Sequence, residues 1–109
     1  MNWLHLVSWF FGSAFFANAV PHFVSGTMGR PFQSPFAKPA GQGLSSSTVN
    51  VCWGILNAVL GYLLVCRVGD FDLKSTLDVA ISGLGILLMS LFSARQFGRF
   101  HGGNLSGRS

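Results

Sequence analysis

His22 has the widest chemical repertoire of any residue in this sequence, and its neighbours give it a setting. Asn18 stands four residues before it and Pro21 one before. The chain then continues Phe23-Val-Ser-Gly-Thr-Met-Gly-Arg-Pro-Phe-Gln-Ser-Pro-Phe36. An imidazole and a carboxamide four apart share one face of a helix, and each can donate or accept hydrogen bonds. Pro21 lacks an N–H, so it kinks or ends a helix beside that pair and frees backbone carbonyls. Gly26 and Gly29 permit close approach or positive φ, which lets the following backbone turn back over the break. Arg30 offers a guanidinium suited to phosphate or carboxylate oxygens. Phe32 and Phe36, in two Pro-Phe pairs four apart, can wall the site off from lipid. Asn50 opens the next apolar run at the same level. Asn18, His22, Arg30 and Asn50, walled by Phe32 and Phe36, therefore predict a small polar binding site for an anionic lipid headgroup or small anion. The alternative is a helix break that satisfies its own polar groups and holds no ligand.

The elements that must position these residues are membrane helices. Of 109 residues half are hydrophobic and only 9% are charged, against roughly a quarter charged in soluble domains. Three apolar runs, Trp3–Val24, Thr48–Cys66 and Leu77–Ala94, each approach the ~20 residues that cross a bilayer. The expected fold is an all-α integral membrane protein of one domain, with three transmembrane helices in a small bundle at about 3–24, 48–67 and 76–95. A Pro/Phe/Gly-rich interfacial loop, 25–47, joins the first two helices, and a basic tail occupies 96–109. Ala17-Asn18-Ala19 is similar to a signal-peptidase site, but Met1–Leu4 has no basic side chain, so a retained helix is expected. Trp3 and Trp9 suit an interfacial aromatic belt. Two Pro-Phe pairs cannot continue a helix, yet Phe23, Phe32 and Phe36 are too apolar for a free linker. The loop is thus expected to pack on the bilayer surface or dip between helices. A flexible approach over 40–47 leads to an N-cap at Ser47 or Thr48.

Asn50, Gly54, Asn57 and Gly61 fall within about 60° of one another on the second helix. Small and amide side chains on one face let membrane helices approach closely and hydrogen-bond across the contact. Asn57, near mid-span, needs a partner because an unpaired amide in hydrocarbon is costly. On the third helix Asp78, Ser82, Gly85, Met89 and Ser93 share a face, and Ser75 or Thr76 can cap its start. These two stripes predict a homo-oligomer, most simply a dimer. Asp78 either serves the helix dipole or pairs with His5, which lies at a comparable depth. Cys52 and Cys66 lie about 21 Å apart along one helix and cannot bridge. No metal-ligand spacing surrounds them, and no cofactor motif is present.

The net charge of +4 is spread over the ends of the apolar runs, which points to membrane topology rather than nucleic acid. Arg30, Lys38, Arg95, Arg99 and Arg108 lie on the side of the long loop and tail, and Arg67 and Lys74 on the other. That bias puts loop and tail in the cytoplasm and the N-terminus outside. The pattern Asn18-x-x-Pro-His-Phe-x-x-Gly-x-x-Gly-x-Pro-Phe-x-x-Pro-Phe36 resembles a motif of small bacterial inner-membrane proteins with no established activity, which implies the cell inner membrane. Small multidrug transporters and three-span diacylglycerol kinases are of similar length, but both depend on membrane-embedded glutamates and this chain has no glutamate. The cysteine pairs of mercury carriers are missing too. Asp70, Asp72, Asp78, His5, His22 and His101 give no nucleophile–base pair, so the sequence does not point to an enzyme. Two classes of function follow. One is a binding or accessory protein holding a lipid headgroup, small anion or partner helix. The other is a homo-oligomeric channel or small-solute transporter using the Asn-lined face of the second helix.

Overall fold

The computed structural model of the chain describes residues 2–104. Met1 and residues 105–109, which include Arg108 of the charge count and the end of the expected tail, lie outside the described residues. Three helices, α1 (Trp3–Thr27), α2 (Ser47–Cys66) and α3 (Thr76–His101), form the bundle, and each is long and apolar enough to cross a membrane. Each start is capped by a side-chain oxygen that accepts an otherwise orphaned N–H. Asn2 accepts from Leu4 at 2.9 Å, Ser46 from Val49 at 3.2 Å and Ser75 from Asp78 at 3.3 Å. The α2 cap is thus one residue before the expected Ser47 or Thr48.

Two boundaries differ from expectation. First, α1 continues through Pro21 to Thr27. A membrane helix tolerates a proline where neighbouring elements hold the turn, and here the residues on either side of Pro21 bond to α2. Second, α3 runs to His101, well past the expected end at 95. Gly102 closes it in the left-handed conformation (φ 81°), with Arg99 and His101 in the last turn, where cations favour the helix dipole.

The connection between α1 and α2 is more ordered than a surface loop. Two short strands, β1 (Phe32–Gln33) and β2 (Leu44–Ser45), pair antiparallel with Phe32 opposite Ser45 and Gln33 opposite Leu44. Ser34 anchors the turn between them. Its carbonyl accepts from Gly41 N at 2.8 Å, its hydroxyl accepts from Phe36 N at 3.1 Å, and it also bonds the Ser45 hydroxyl.

The central element is α1, which packs on both other helices, while α2 and α3 touch only marginally. The α2 stripe mates with α1 of the same chain. A Cβ on Gly54 would stand 2.8 Å from Phe23 N, and one on Gly61 2.8 Å from Gly12 O, too near for any other residue type. The α2 glycines that suggested self-association therefore lie against α1 of the same chain. On α3, Gly85 lies against the Phe10 carbonyl, but further along the two helices part around an apolar groove of about 490 Å³ lined by Val20, Val24, Ile86 and Ser90.

At the opposite end of the bundle from the hairpin, the connection between α2 and α3 decides two further points. Trp9 is buried and donates to Val68 O at 2.7 Å, so it belongs to the bundle, whereas Trp3 is exposed. His5 and Asp78 do not pair. The His5 ring stands over Gly69 and beside Trp9, and Asp78 accepts from Asp72 N at 3.1 Å in the first turn of α3. The loop supplies each with its own partner, and Asp78 serves the helix dipole.

Candidate functional site

Two polar rungs join α1 to α2, and tracing their hydrogens outward defines the site. In the first, Asn57 Nδ2 donates to Trp53 O at 2.8 Å, one turn back on its own helix. That turns Asn57 Oδ1 toward α1, where Asn18 Nδ2 donates to it at 2.9 Å. Asn57 is fully buried, and its predicted need for a partner is met. The amide of Asn18 is thereby oriented too, and its Oδ1 bonds to none of the described residues.

In the second rung, Asn50 Nδ2 points at three carbonyls, Phe32 O at 3.1 Å, Ser45 O at 3.2 Å and Ser46 O at 3.1 Å. A flipped amide would set its oxygen against all three, so Oδ1 must face His22 Nδ1, 2.9 Å away. An oxygen there requires a donor, which assigns the proton to Nδ1. In the neutral imidazole Nε2 is then a bare acceptor, and it bonds to none of the described residues. His22 is only 2% exposed. Its ring is held edge-to-face by Phe32 at 5.4 Å and Phe97 at 5.7 Å between centroids, with Trp53 at 6.3 Å.

Both rungs end at a cavity of about 270 Å³, where α1, α2, the hairpin and the last turns of α3 meet. Asn18, His22, Gln33, Trp53, Gln96 and Phe97 line it, and none of its lining residues is charged. The Trp53 indole Nε1–H is buried and has no partner among the described residues. The hairpin and α3 close the cavity through two bonds, His101 Nε2 with Gln33 Oε1 at 2.9 Å and Gln96 Nε2 to Gly41 O at 3.4 Å. His101 also stacks on Phe32 at 5.1 Å.

Of the six residues expected to form the binding site, the structure brings Asn18, His22, Asn50 and Phe32 together. Arg30 is a correction. It is exposed on the loop after α1 and is absent from the cavity lining. The chain reverses at Gly29 (φ 73°), and only from Gln33 onward does the hairpin line the cavity. Phe36 is 63% exposed and meets only the edge of Trp53, at 5.2 Å, so it covers the outside of the indole. Asn50 and Asn57, expected as alternative pore-lining residues, have no exposed surface; α1 covers the Asn-lined face of α2.

Sequence reasoning missed Trp53, Gln33, Gln96, Phe97 and His101. A signal was present for the last two. Gly102 after a basic turn is the mark of a helix end, and extending the third helix to it carries Phe97 and His101 into the bundle. Trp53 gave no signal, since a tryptophan in an apolar run reads as packing. No protein-family model matches this chain, and comparison with curated proteins and solved structures finds no match either.

Proposed function

We propose that this is a small membrane-embedded binding or accessory protein that holds the headgroup of a membrane lipid in the cavity around His22. The observation that carries this reading is the His22 ring, fixed through Nδ1 on Asn50 while Nε2 has no bond among the described residues. His22 is 2% exposed and what surface it keeps faces the cavity, where a ligand hydroxyl can meet the free nitrogen. An uncharged lining argues against a phosphate occupant, because a buried anion needs a paired cation and Arg30 is outside. Lipid-resolved native mass spectrometry tests the reading. His22→Leu should lose a lipid that co-purifies with the wild type, and Arg30→Ala should keep it. Identical profiles for wild type and His22→Leu would end the proposal.

The charge distribution and the motif around Pro21-His22 support a bacterial inner-membrane location, with the N-terminus outside and the C-terminus cytoplasmic. Topology reporters fused after Lys38 and after Ser109 should read cytoplasmic, and one after Asp72 external. The reverse pattern would put the cavity on the outer side.

A further inference from the structure

We infer that the cavity selects an uncharged, hydroxyl-bearing headgroup, with His22 Nε2 and Asn18 Oδ1 as acceptors and Trp53 Nε1–H as donor. This rests on the lipid-binding reading above and specifies its ligand. Three facts combine to give it. The two hydrogen-bond rungs end on α1 in acceptors, four residues apart and so on one face. Both residues line the cavity. Trp53 lines the same cavity, and its buried indole N–H bonds to none of the described residues, which leaves a donor unsatisfied at a cost to stability. A hydroxyl is the smallest group that answers both kinds of site, since it donates one hydrogen and accepts another.

Charge narrows the class further. With no cationic or anionic side chain in the lining, neither a phosphate nor an ammonium finds a counter-ion, and both would pay a desolvation penalty. The aromatic edges of His22, Phe97 and Trp53 suit a flat ring or a short polyol. Trp53 is shared with a groove of about 410 Å³ on the outer side of α2, lined by Phe36, Val49, Cys52 and Leu56.

Two membrane sources carry this chemistry, the reduced ring of an isoprenoid quinol and the glycerol head of a monoacylglycerol. The oxidised quinone is a built-in control. It has carbonyls in place of hydroxyls, so it can accept from Trp53 but offers nothing to His22 Nε2 or Asn18 Oδ1.

The experiment titrates the detergent-purified full-length protein with four probes and follows bound mass. They are a short-chain ubiquinol kept reduced under anaerobic conditions, the matching quinone, monooleoylglycerol and phosphatidylglycerol. The expected result is binding of ubiquinol at least roughly tenfold tighter than quinone, or binding of monooleoylglycerol, with His22→Leu weakening it by a similar factor. Trp53→Phe removes the indole N–H together with part of the ring, so its fold is checked by thermal unfolding, and it should weaken the same probe several-fold. Preference for ubiquinol assigns the ring source, and preference for monooleoylglycerol assigns the glycerol source. Equal binding of ubiquinol and quinone without monooleoylglycerol binding, or insensitivity to Trp53→Phe, would overturn the hydrogen-bond assignment. Phosphatidylglycerol bound in a His22-dependent way, with neither neutral hydroxyl probe bound, would overturn this inference and leave lipid binding standing. If no probe binds although a native lipid co-purifies, the hydroxyl class is wrong. If no lipid co-purifies either, both readings fall.

Discussion

The two faces of α1 are built on different principles. Toward α2 the seam is close and directional. Gly54 and Gly61 admit the backbone of α1, and Asn18–Asn57 and His22–Asn50 cross it at 2.9 Å each. Ser8 adds a bond to Leu64 O at 2.7 Å. Toward α3 the seam is close only near Gly85 and then opens into an apolar groove. The buried hydroxyls of Ser82 and Ser93 on α3 have no partner among the described residues. The third helix is tied at its far end instead, through His101 and Gln96 to the hairpin. In lipid there is little hydrophobic drive between helices, so contact must come from packing and polar pairing. The α1–α2 seam has both. The α1–α3 seam relies on packing and on its terminal ties. The cavity lies where these two seams meet, with Asn18 and His22 on one side and Gln96 and Phe97 of α3 on the other.

The largest expected effect breaks the close seam. Gly61→Leu or Gly54→Leu places side-chain atoms inside the backbone of α1 and should destabilise by about 3 kcal/mol or more, read as loss of folded, monodisperse protein. Gly83→Leu on α3 meets nothing within 4 Å and should stay within about 0.5 kcal/mol of the parent. Equal stability of Gly61→Leu and Gly83→Leu would dissolve the contrast between the faces.

A smaller effect separates polar pairing from packing. In a double-mutant cycle, Asn18→Leu and Asn57→Leu should couple by about 1 kcal/mol, in the range measured for hydrogen bonds between membrane helices. Zero coupling would mean that the rung is incidental.

Next come the ties of α3. Gln33→Ala and His101→Ala should each destabilise by about 0.5–1.5 kcal/mol. Faster hydrogen exchange should follow in β1 and the last turn of α3, while α2 keeps its protection. Uniform loosening of all three helices would show that α3 is not held mainly by its end.

The smallest effect concerns the orphan hydroxyls. Ser82→Ala removes a buried oxygen that pairs with nothing, so stability should stay level or rise by up to about 1 kcal/mol. A clear loss on thermal unfolding would reveal a partner for that hydroxyl and a better-made seam than described.

How much of this was written in the chain can be judged residue by residue. The three helices were legible because in a bilayer every backbone polar group must be satisfied within the segment, which makes run length and apolarity nearly sufficient. The face formed by Asn50, Gly54, Asn57 and Gly61 was legible for a similar reason, since helical period alone groups them. The helix to which that face belonged was not. A small-residue stripe accommodates a second copy of the chain as well as α1, and only the fold assigned it to α1. The hairpin was invisible because strands of two residues have no period to read, and its bonds come from Ser34, Gln33 and Gly41 at separations that no local rule predicts. Arg30 was misplaced because one glycine at positive φ turned the chain before reaching it. The identity of His22 and Asn50 was readable, but the free nitrogen on His22 was not. That lone pair follows from the direction of an amide 28 residues away, itself fixed by three carbonyls from the hairpin and the α2 cap. Sequence determined the membrane elements through local solvation rules. Tertiary structure decided the partners, because hydrogen-bond direction depends on atoms that meet only when distant segments close on one another.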